Sequence, residues 1–206
     1  AQLAAPLLDP QSGERVLDAC AGPGGKTTHL LELADCRVTA LDVGEARLRP
    51  VRENLARLGL GQAGGPGHPA SVLAGDALRP THWWDGIAYD RILVDAPCTA
   101  SGIVRRHPDI RWLRRRSDLA TLSRQQGEIL RALWPLLRPG GKLLFATCSV
   151  FRAEGEQVID HLLSERRDAK RLELSWRFEA DAAEPVSQLL PVAQPGRDHG
   201  RFSSSA

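Results

Sequence analysis

The sequence predicts an α/β fold: a doubly wound, mostly parallel sheet with helices on both faces. Three observations predict it. Short apolar, β-rich runs alternate with stretches of helical spacing along most of the 206 residues. A glycine-rich turn, Cys20-Ala21-Gly22-Pro23-Gly24-Gly25-Lys26, follows the first of those runs. Several runs also end at or just before an aspartate, at the edge where sheets of this kind collect their ligands.

Taken in order, Arg15-Val16-Leu17-Asp18-Ala19 is the first strand, and Lys26 to Leu33 has helical spacing after the glycine turn. Arg37 to Asp42 is a second strand. Glu45 to Leu58 is a second helix, with Leu48, Val51, Leu55 and Leu58 at three- and four-residue steps. Gly61 to Pro69 reads as a solvated loop, Ser71 to Ala74 as a third strand leaving through Gly75-Asp76, and Tyr89 to Asp95 as a fourth, apolar enough to be buried on both faces. Residues 99 to 116 form an arginine-rich connection. A long helix is expected over Leu119 to Leu137, stopped by Pro139-Gly140-Gly141, then a fifth strand over Lys142 to Thr147 and a helix over Glu154 to Glu165. Beyond about residue 170 the pattern is weak, and the Ser203-Ser204-Ser205 end is expected to be disordered.

With 42% hydrophobic and 25% charged residues, the chain is expected to be one globular domain over residues 1–206. A net charge of +2 gives no global attraction to nucleic acid, but Arg105, Arg106, Arg111, Arg114, Arg115 and Arg116 fall within twelve residues, beside His107. No apolar run is long enough to span a bilayer, so a cytoplasmic protein without a membrane partner is expected. Cysteines 20, 36, 98 and 148 lack the paired spacing of a zinc site, so no metal is expected and free thiols are. The sequence begins at Ala1 and contains no methionine, which points to an upstream segment.

Gly22, Gly24 and Gly25 permit close backbone approach, and the amides opening the next helix offer donors to a ligand. Asp42 ends the second strand 18 residues after Gly24, where a carboxylate can accept both hydroxyls of a ribose. Asp76 and Asp95 bring further acid to the same edge. That rim repels a pyrophosphate and favours a cationic, phosphate-free nucleoside such as S-adenosylmethionine over NAD. Two cysteines, Cys98 after Pro97 and Cys148 between Thr147 and Ser149, leave strand ends at that edge, while Cys36 reads as structural. A thiol of ordinary pKa, about 8.5, is only a few per cent ionised at neutral pH, so nearby arginines are expected to support the thiolate.

Residues 20–26, the segment Asp95-Ala96-Pro97-Cys98-Thr99-Ala100-Ser101-Gly102, Arg105-Arg106-His107-Pro108-Asp109 with Trp112-Leu113, and Ala146-Thr147-Cys148-Ser149 resemble the RNA cytosine-5 methyltransferases, most closely the bacterial Sun/Fmu type. The likeness runs from about Leu8 to Leu163. It implies a Rossmann-like class I methyltransferase fold and S-adenosylmethionine held by Cys20, Ala21, Gly22, Pro23, Gly24, Gly25, Lys26, Asp42, Asp76 and Asp95. It implies Cys148 as the nucleophile at carbon 6 of cytosine, Asp95 as the partner of N3, and Cys98 as the thiol that assists release. The RNA would be bound by Arg105, Arg106, His107, Arg111 and Trp112, with 16S ribosomal RNA as the substrate implied first and transfer RNA second. The family's N-terminal RNA-binding domains have no counterpart in this sequence. The family's closing Gly-Phe-aromatic-Ala strand is only hinted at by Gly200-Arg201-Phe202, so the last sheet edge is expected to be altered or truncated from about residue 195. Read from the residues alone, a nicotinamide-dependent dehydrogenase and a catalytically silent RNA-binding module stay open.

Overall fold

The computed structural model describes residues 2–61, 70–177 and 183–191, with side chains described up to residue 172. The expected loop at Gly61 to Pro69 lies almost wholly outside the described residues, and the Gly200 to Ala206 end lies outside them entirely.

Five strands form one parallel sheet: β1 (Arg15–Ala19), β2 (Arg37–Asp42), β3 (Ser71–Ala74), β4 (Tyr89–Asp95) and β5 (Leu137–Ala146). Their order is β3-β2-β1-β4-β5, so the chain winds outward in one direction from β1 and then crosses back to β4. The reversal between β1 and β4 leaves a crevice at their carboxyl ends, which is where doubly wound sheets bind ligands. The α/β class expected from the alternating pattern is the one observed.

Among the described residues, α1 (Ala4–Leu8), α2 (Gly25–Leu33), α3 (Glu45–Leu58), α5 (Arg116–Leu133) and α6 (Glu156–Glu165) flank the sheet, and the short α4 (Ile110–Leu113) lies in the connection between β4 and α5 with no buried residue. Alternate strand residues point to opposite faces and build two cores. Val16, Ala40, Leu93 and Leu144 pack with Leu30, Leu48, Val51 and Leu55 on one side. Leu17, Leu41, Ile92, Val94 and Leu143 pack with Ile129, Leu130, Leu133, Val158 and Leu162 on the other. Burial on both faces explains the near-continuous apolar strands.

Several boundaries differ from expectation. Helix α5 stops at Leu133, because Pro135 opens a 3₁₀ turn over Trp134–Leu136 and supplies no amide to continue the helix. Strand β5 therefore starts at Leu137, and Pro139-Gly140-Gly141 is a bulge inside it rather than a helix stop. The register shifts there, from Tyr89 opposite Leu137 to Arg91 opposite Lys142. A Cβ on Gly141 would lie 2.8 Å from the Asp90 carbonyl oxygen, so the bulge needs glycine at that point. Similarly, the helix expected from Glu154 begins at Glu156, after a 3₁₀ turn over Arg152–Glu154. Past it, β6 (Ala169–Arg177) and β7 (Ala183–Pro191) form an antiparallel pair, with β7 beside β5.

Trp83 and Trp84 pack against the core edge. Their indole N–H groups donate to the backbone oxygens of Asp76 and Ile87 at 2.8 and 2.9 Å. No helix of the described residues is long and apolar enough to cross a membrane.

Candidate active site

The glycine turn occupies the crevice between β1 and β4. Cys20 leaves β1 with φ of 62°, and Gly24 has φ of 103°, a conformation that favours glycine. A Cβ on Gly24 would lie 2.8 Å from Cα of Val51, so glycine also lets α3 approach. Lys26 reaches across the crevice from the turn: its Nζ donates to Asp95 Oδ2 at 2.6 Å. This ion pair joins the turn to the end of β4.

Asp42 is buried at the end of β2 and holds the turn from the other side. Its Oδ2 accepts the Gly22 amide at 2.9 Å, and its Oδ1 accepts the Val43 amide and Arg47 Nε, each at 2.8 Å. Two of its acceptor directions thus belong to the fold and one to Arg47. Both hydroxyls of a ribose can be accepted together only after the half-exposed Arg47 swings away. Asp76 lies past β3, with Oδ1 receiving the Leu78 amide at 2.9 Å.

Asp42, Asp76, Asp95, Gly22, Cys98 and Cys148 all line one cavity of about 520 Å³. A second cavity of about 520 Å³ adjoins the turn and is lined by Asp18, Cys20, Lys26, His29, Glu32 and Asp95. Their acids outnumber Lys26, Arg47 and Arg114, so the crevice suits a cationic, phosphate-free nucleoside better than a pyrophosphate. Asp18 faces the second cavity as well. It is fully buried, Thr27 donates to its Oδ2 at 2.6 Å, and its Oδ1 has no hydrogen-bond partner among the described residues. Burial, with the negative charge of Asp95, raises its carboxyl to about 7.

Parallel pairing brings the two thiols together. Asp95 on β4 lies opposite Ala146 on β5, and the chain reaches Cys98 and Cys148 a few residues beyond each. Their Sγ atoms are 3.2 Å apart. The Gly102 amide donates to the Cys148 carbonyl at 2.8 Å, and a Cβ on Gly102 would lie 2.7 Å from that oxygen. Cys98 is buried and Cys148 exposed, although the sulfur of Cys148 is partly enclosed against Cys98. That enclosure, then the Cys98 thiol and the Asp95 charge, push the Cys148 thiol up to about 12. The expected arginine support for the thiolate is therefore not met. Arg114 lines the same cavity but gives its Nε to the Thr99 carbonyl at 3.1 Å. Cys36 is buried in the core, as a structural cysteine should be.

Arg105, Arg106, His107, Arg111 and Trp112 project from the connection between β4 and α5, and all five are exposed. Trp112 is 87% exposed and Leu113 67%. Among the described residues no acidic side chain pairs with Arg105, Arg106 or Arg111. This free positive charge is what phosphate contacts require. Sequence reasoning missed Asp18, Arg47, Gln126 and Glu154. Asp18 carried a faint signal, a carboxylate inside an otherwise apolar strand.

Comparison with known proteins gives one family. The family model of 16S rRNA methyltransferase RsmB/F matches residues 5–200. A ribosomal RNA small subunit methyltransferase B from Vibrio cholerae is 48% identical over 93% of this chain and 41% of its own length. Its counterpart from Pseudomonas syringae is 45% identical over 96% of this chain and 44% of its own. The chain thus spans about two fifths of the curated relatives that it matches. Among solved structures, a methyltransferase homologue from Pyrococcus horikoshii superposes with a TM-score of 0.70 at 34% identity, over 85% of this chain and 52% of that one. NSun6 from the same organism, solved with SFG, gives 0.77 at 26% identity, over 94% and 52%. The sheet order and these neighbours make the fold that of the Rossmann-like S-adenosylmethionine methyltransferases, and with the family match across nearly its whole length the chain belongs to the 16S rRNA methyltransferase RsmB/F family.

Proposed function

We propose that this chain transfers a methyl group from S-adenosylmethionine to carbon 5 of a cytosine in RNA, 16S ribosomal RNA foremost, through a covalent bond between Cys148 and carbon 6. One observation carries this reading: the Cys98 and Cys148 sulfurs lie 3.2 Å apart in a cavity shared with Asp95 and with Gly22, Asp42 and Asp76. The names of the relatives support the ribosomal substrate, and SFG, an analogue of S-adenosylmethionine, in the NSun6 structure supports the cofactor.

Carbon 5 of cytosine is a poor nucleophile until a thiolate adds at carbon 6. Cys148, the more exposed sulfur of the pair and the one a substrate base meets first, supplies that thiolate by giving up its proton as it attacks. Asp95, at the end of β4, carries the Cys148 proton to N3 and so offsets the negative charge that develops there, which a carboxylate without that proton would repel. Lys26 holds the Asp95 carboxylate in place. S-adenosylmethionine supplies an electrophilic methyl group on a sulfonium whose positive charge matches the acid rim. After transfer, Cys98, its own proton already lost to solvent, takes the proton from carbon 5, the carbon 6 to sulfur bond breaks with its electron pair returning to Cys148, N3 gives back its proton, and the ring double bond re-forms. Reaching the base requires it to leave its stack. The arginines of residues 105–111 hold the flanking phosphates, and Trp112 offers a ring face for a base. Such an enzyme works beside ribosomal RNA in the cytoplasm.

Incubation with isotopically labelled S-adenosylmethionine and unmodified 16S ribosomal RNA, followed by bisulfite sequencing, tests the reading. One cytosine protected from conversion is expected. Label incorporated with every cytosine still converted would refute carbon 5 as the target.

A further inference from the structure

We propose that Glu154 is a positioning residue, a buried carboxylate clasp that sets the two cysteine loops at their working separation. This rests on the two-thiol reading above. Glu154 closes the turn that follows the Cys148 segment and is wholly buried, yet its side chain reaches back to the Cys98 loop. Its Oε1 accepts the Thr99 amide at 2.8 Å and Gln126 Nε2 at 3.2 Å, and its Oε2 accepts the Thr99 hydroxyl. Gln126, equally buried on α5, gives its Nε2 also to the Pro97 carbonyl at 2.9 Å. The backbone oxygen of Glu154 accepts the Thr147 hydroxyl at 3.2 Å. One residue therefore holds both neighbours of Cys98, one through Gln126, and one neighbour of Cys148. The other neighbour of Cys148, Ser149, meets the Thr99 and Ser101 hydroxyls at 3.3 and 3.1 Å.

A buried carboxylate is costly, and among the described residues no cation forms an ion pair with Glu154. An apolar side chain would fill that volume with less desolvation. A carboxylate does what an apolar group cannot: it gathers three donors from a loop and a helix into one fixed geometry. The chemistry needs that rigidity, because the two sulfurs must address adjacent carbons of one ring. A misplacement of about 1 Å can slow such a reaction by about 100-fold.

Three variants test the clasp. Glu154→Ala removes it. Glu154→Gln keeps it, since the amide oxygen can accept from Thr99 and Gln126 while the amide nitrogen donates to the Thr99 hydroxyl, which turns its proton to Ser149. Gln126→Leu removes only the contacts to Pro97 and Glu154 and carries the test if Glu154→Ala does not fold. The first readout needs no substrate: diamide takes two electrons and two protons from Cys98 and Cys148, forming a disulfide and a hydrazine. Cross-linking is expected to slow about tenfold or more in Glu154→Ala and Gln126→Leu and to stay near wild type in Glu154→Gln. The second is single-turnover methyl transfer, expected to fall about 100-fold in Glu154→Ala while S-adenosylmethionine affinity by calorimetry changes less than about threefold. Equal cross-linking in wild type, Gln126→Leu and any folded Glu154→Ala would overturn the clasp whatever the activity. Slowed cross-linking in a protein that transfers no methyl group to any RNA would uphold the clasp and refute the proposed reaction instead.

Discussion

Gly22 donates its backbone N–H to Asp42 Oδ2 across 2.9 Å, so the end of β2 fixes the glycine turn that follows β1. Arg47 lies on the same carboxylate and also reaches the Gly22 carbonyl at 3.3 Å. Turn, carboxylate and guanidinium form one unit, and ligand binding there is coupled to all three.

Asp42→Ala removes a ribose acceptor and the anchor of the turn together. Each lost hydrogen bond to a charged group is worth about 1.5–3 kcal/mol, so S-adenosylmethionine should bind at least about tenfold more weakly by calorimetry. Arg47→Ala should weaken binding far less, because the guanidinium must leave the carboxylate for the ribose to enter. Unchanged affinity in Asp42→Ala would remove that residue from the site.

Asp18 gives a pH signature. Its folded-state carboxyl is raised to about 7 from an ordinary 3.8, so the folded protein binds this proton more tightly than the unfolded chain does. Stability from this group is full below about pH 4 and is lost as pH rises towards 7. Asp18→Asn keeps an acceptor for Thr27 and cannot ionise. Between pH 5 and 7, urea unfolding of the wild type should lose about 2 kcal/mol more than that of the variant, with a slope near 1.4 per pH unit at the start that falls to about half of that at pH 7. Parallel profiles would show that Asp18 is ionised throughout.

Replacing Arg105 and Arg106 together should weaken RNA binding and lower the slope of log affinity against log salt by about one to two units. S-adenosylmethionine affinity should not change. An unaltered slope would return these side chains to an ordinary solvated surface.

Much of this was legible in the sequence because it is local. Strands β1 to β4 are apolar runs bounded by turn residues, and the turn at residues 20–26 announces itself by its glycines. The α5 to β5 boundary was misread because Pro139-Gly140-Gly141 has the composition of a helix stop, whereas Pro135 had already ended the helix and the glycines serve a bulge against Asp90. Glu154 and Gln126 were invisible for a different reason. Their partners lie 28 to 55 residues away, and no local pattern distinguishes a buried glutamate in a turn from a solvated one. The electrostatics of Cys148 also depend on tertiary neighbours: partial burial, a second thiol and an aspartate push its thiol up, and no arginine is among the groups that set it.

The central claim is that the two thiols perform separate steps of one covalent cycle. Wild type, Cys148→Ala and Cys98→Ala, each incubated with RNA and S-adenosylmethionine and run on a denaturing gel, test it most directly. Cys148→Ala should form no protein–RNA adduct and transfer no methyl group, since no thiolate reaches carbon 6. Cys98→Ala should attack and methylate but fail to release, and so accumulate as a covalent complex. An adduct with Cys148→Ala and none with Cys98→Ala would invert the assignment, and retained activity in both variants without any adduct would contradict the thiol mechanism altogether.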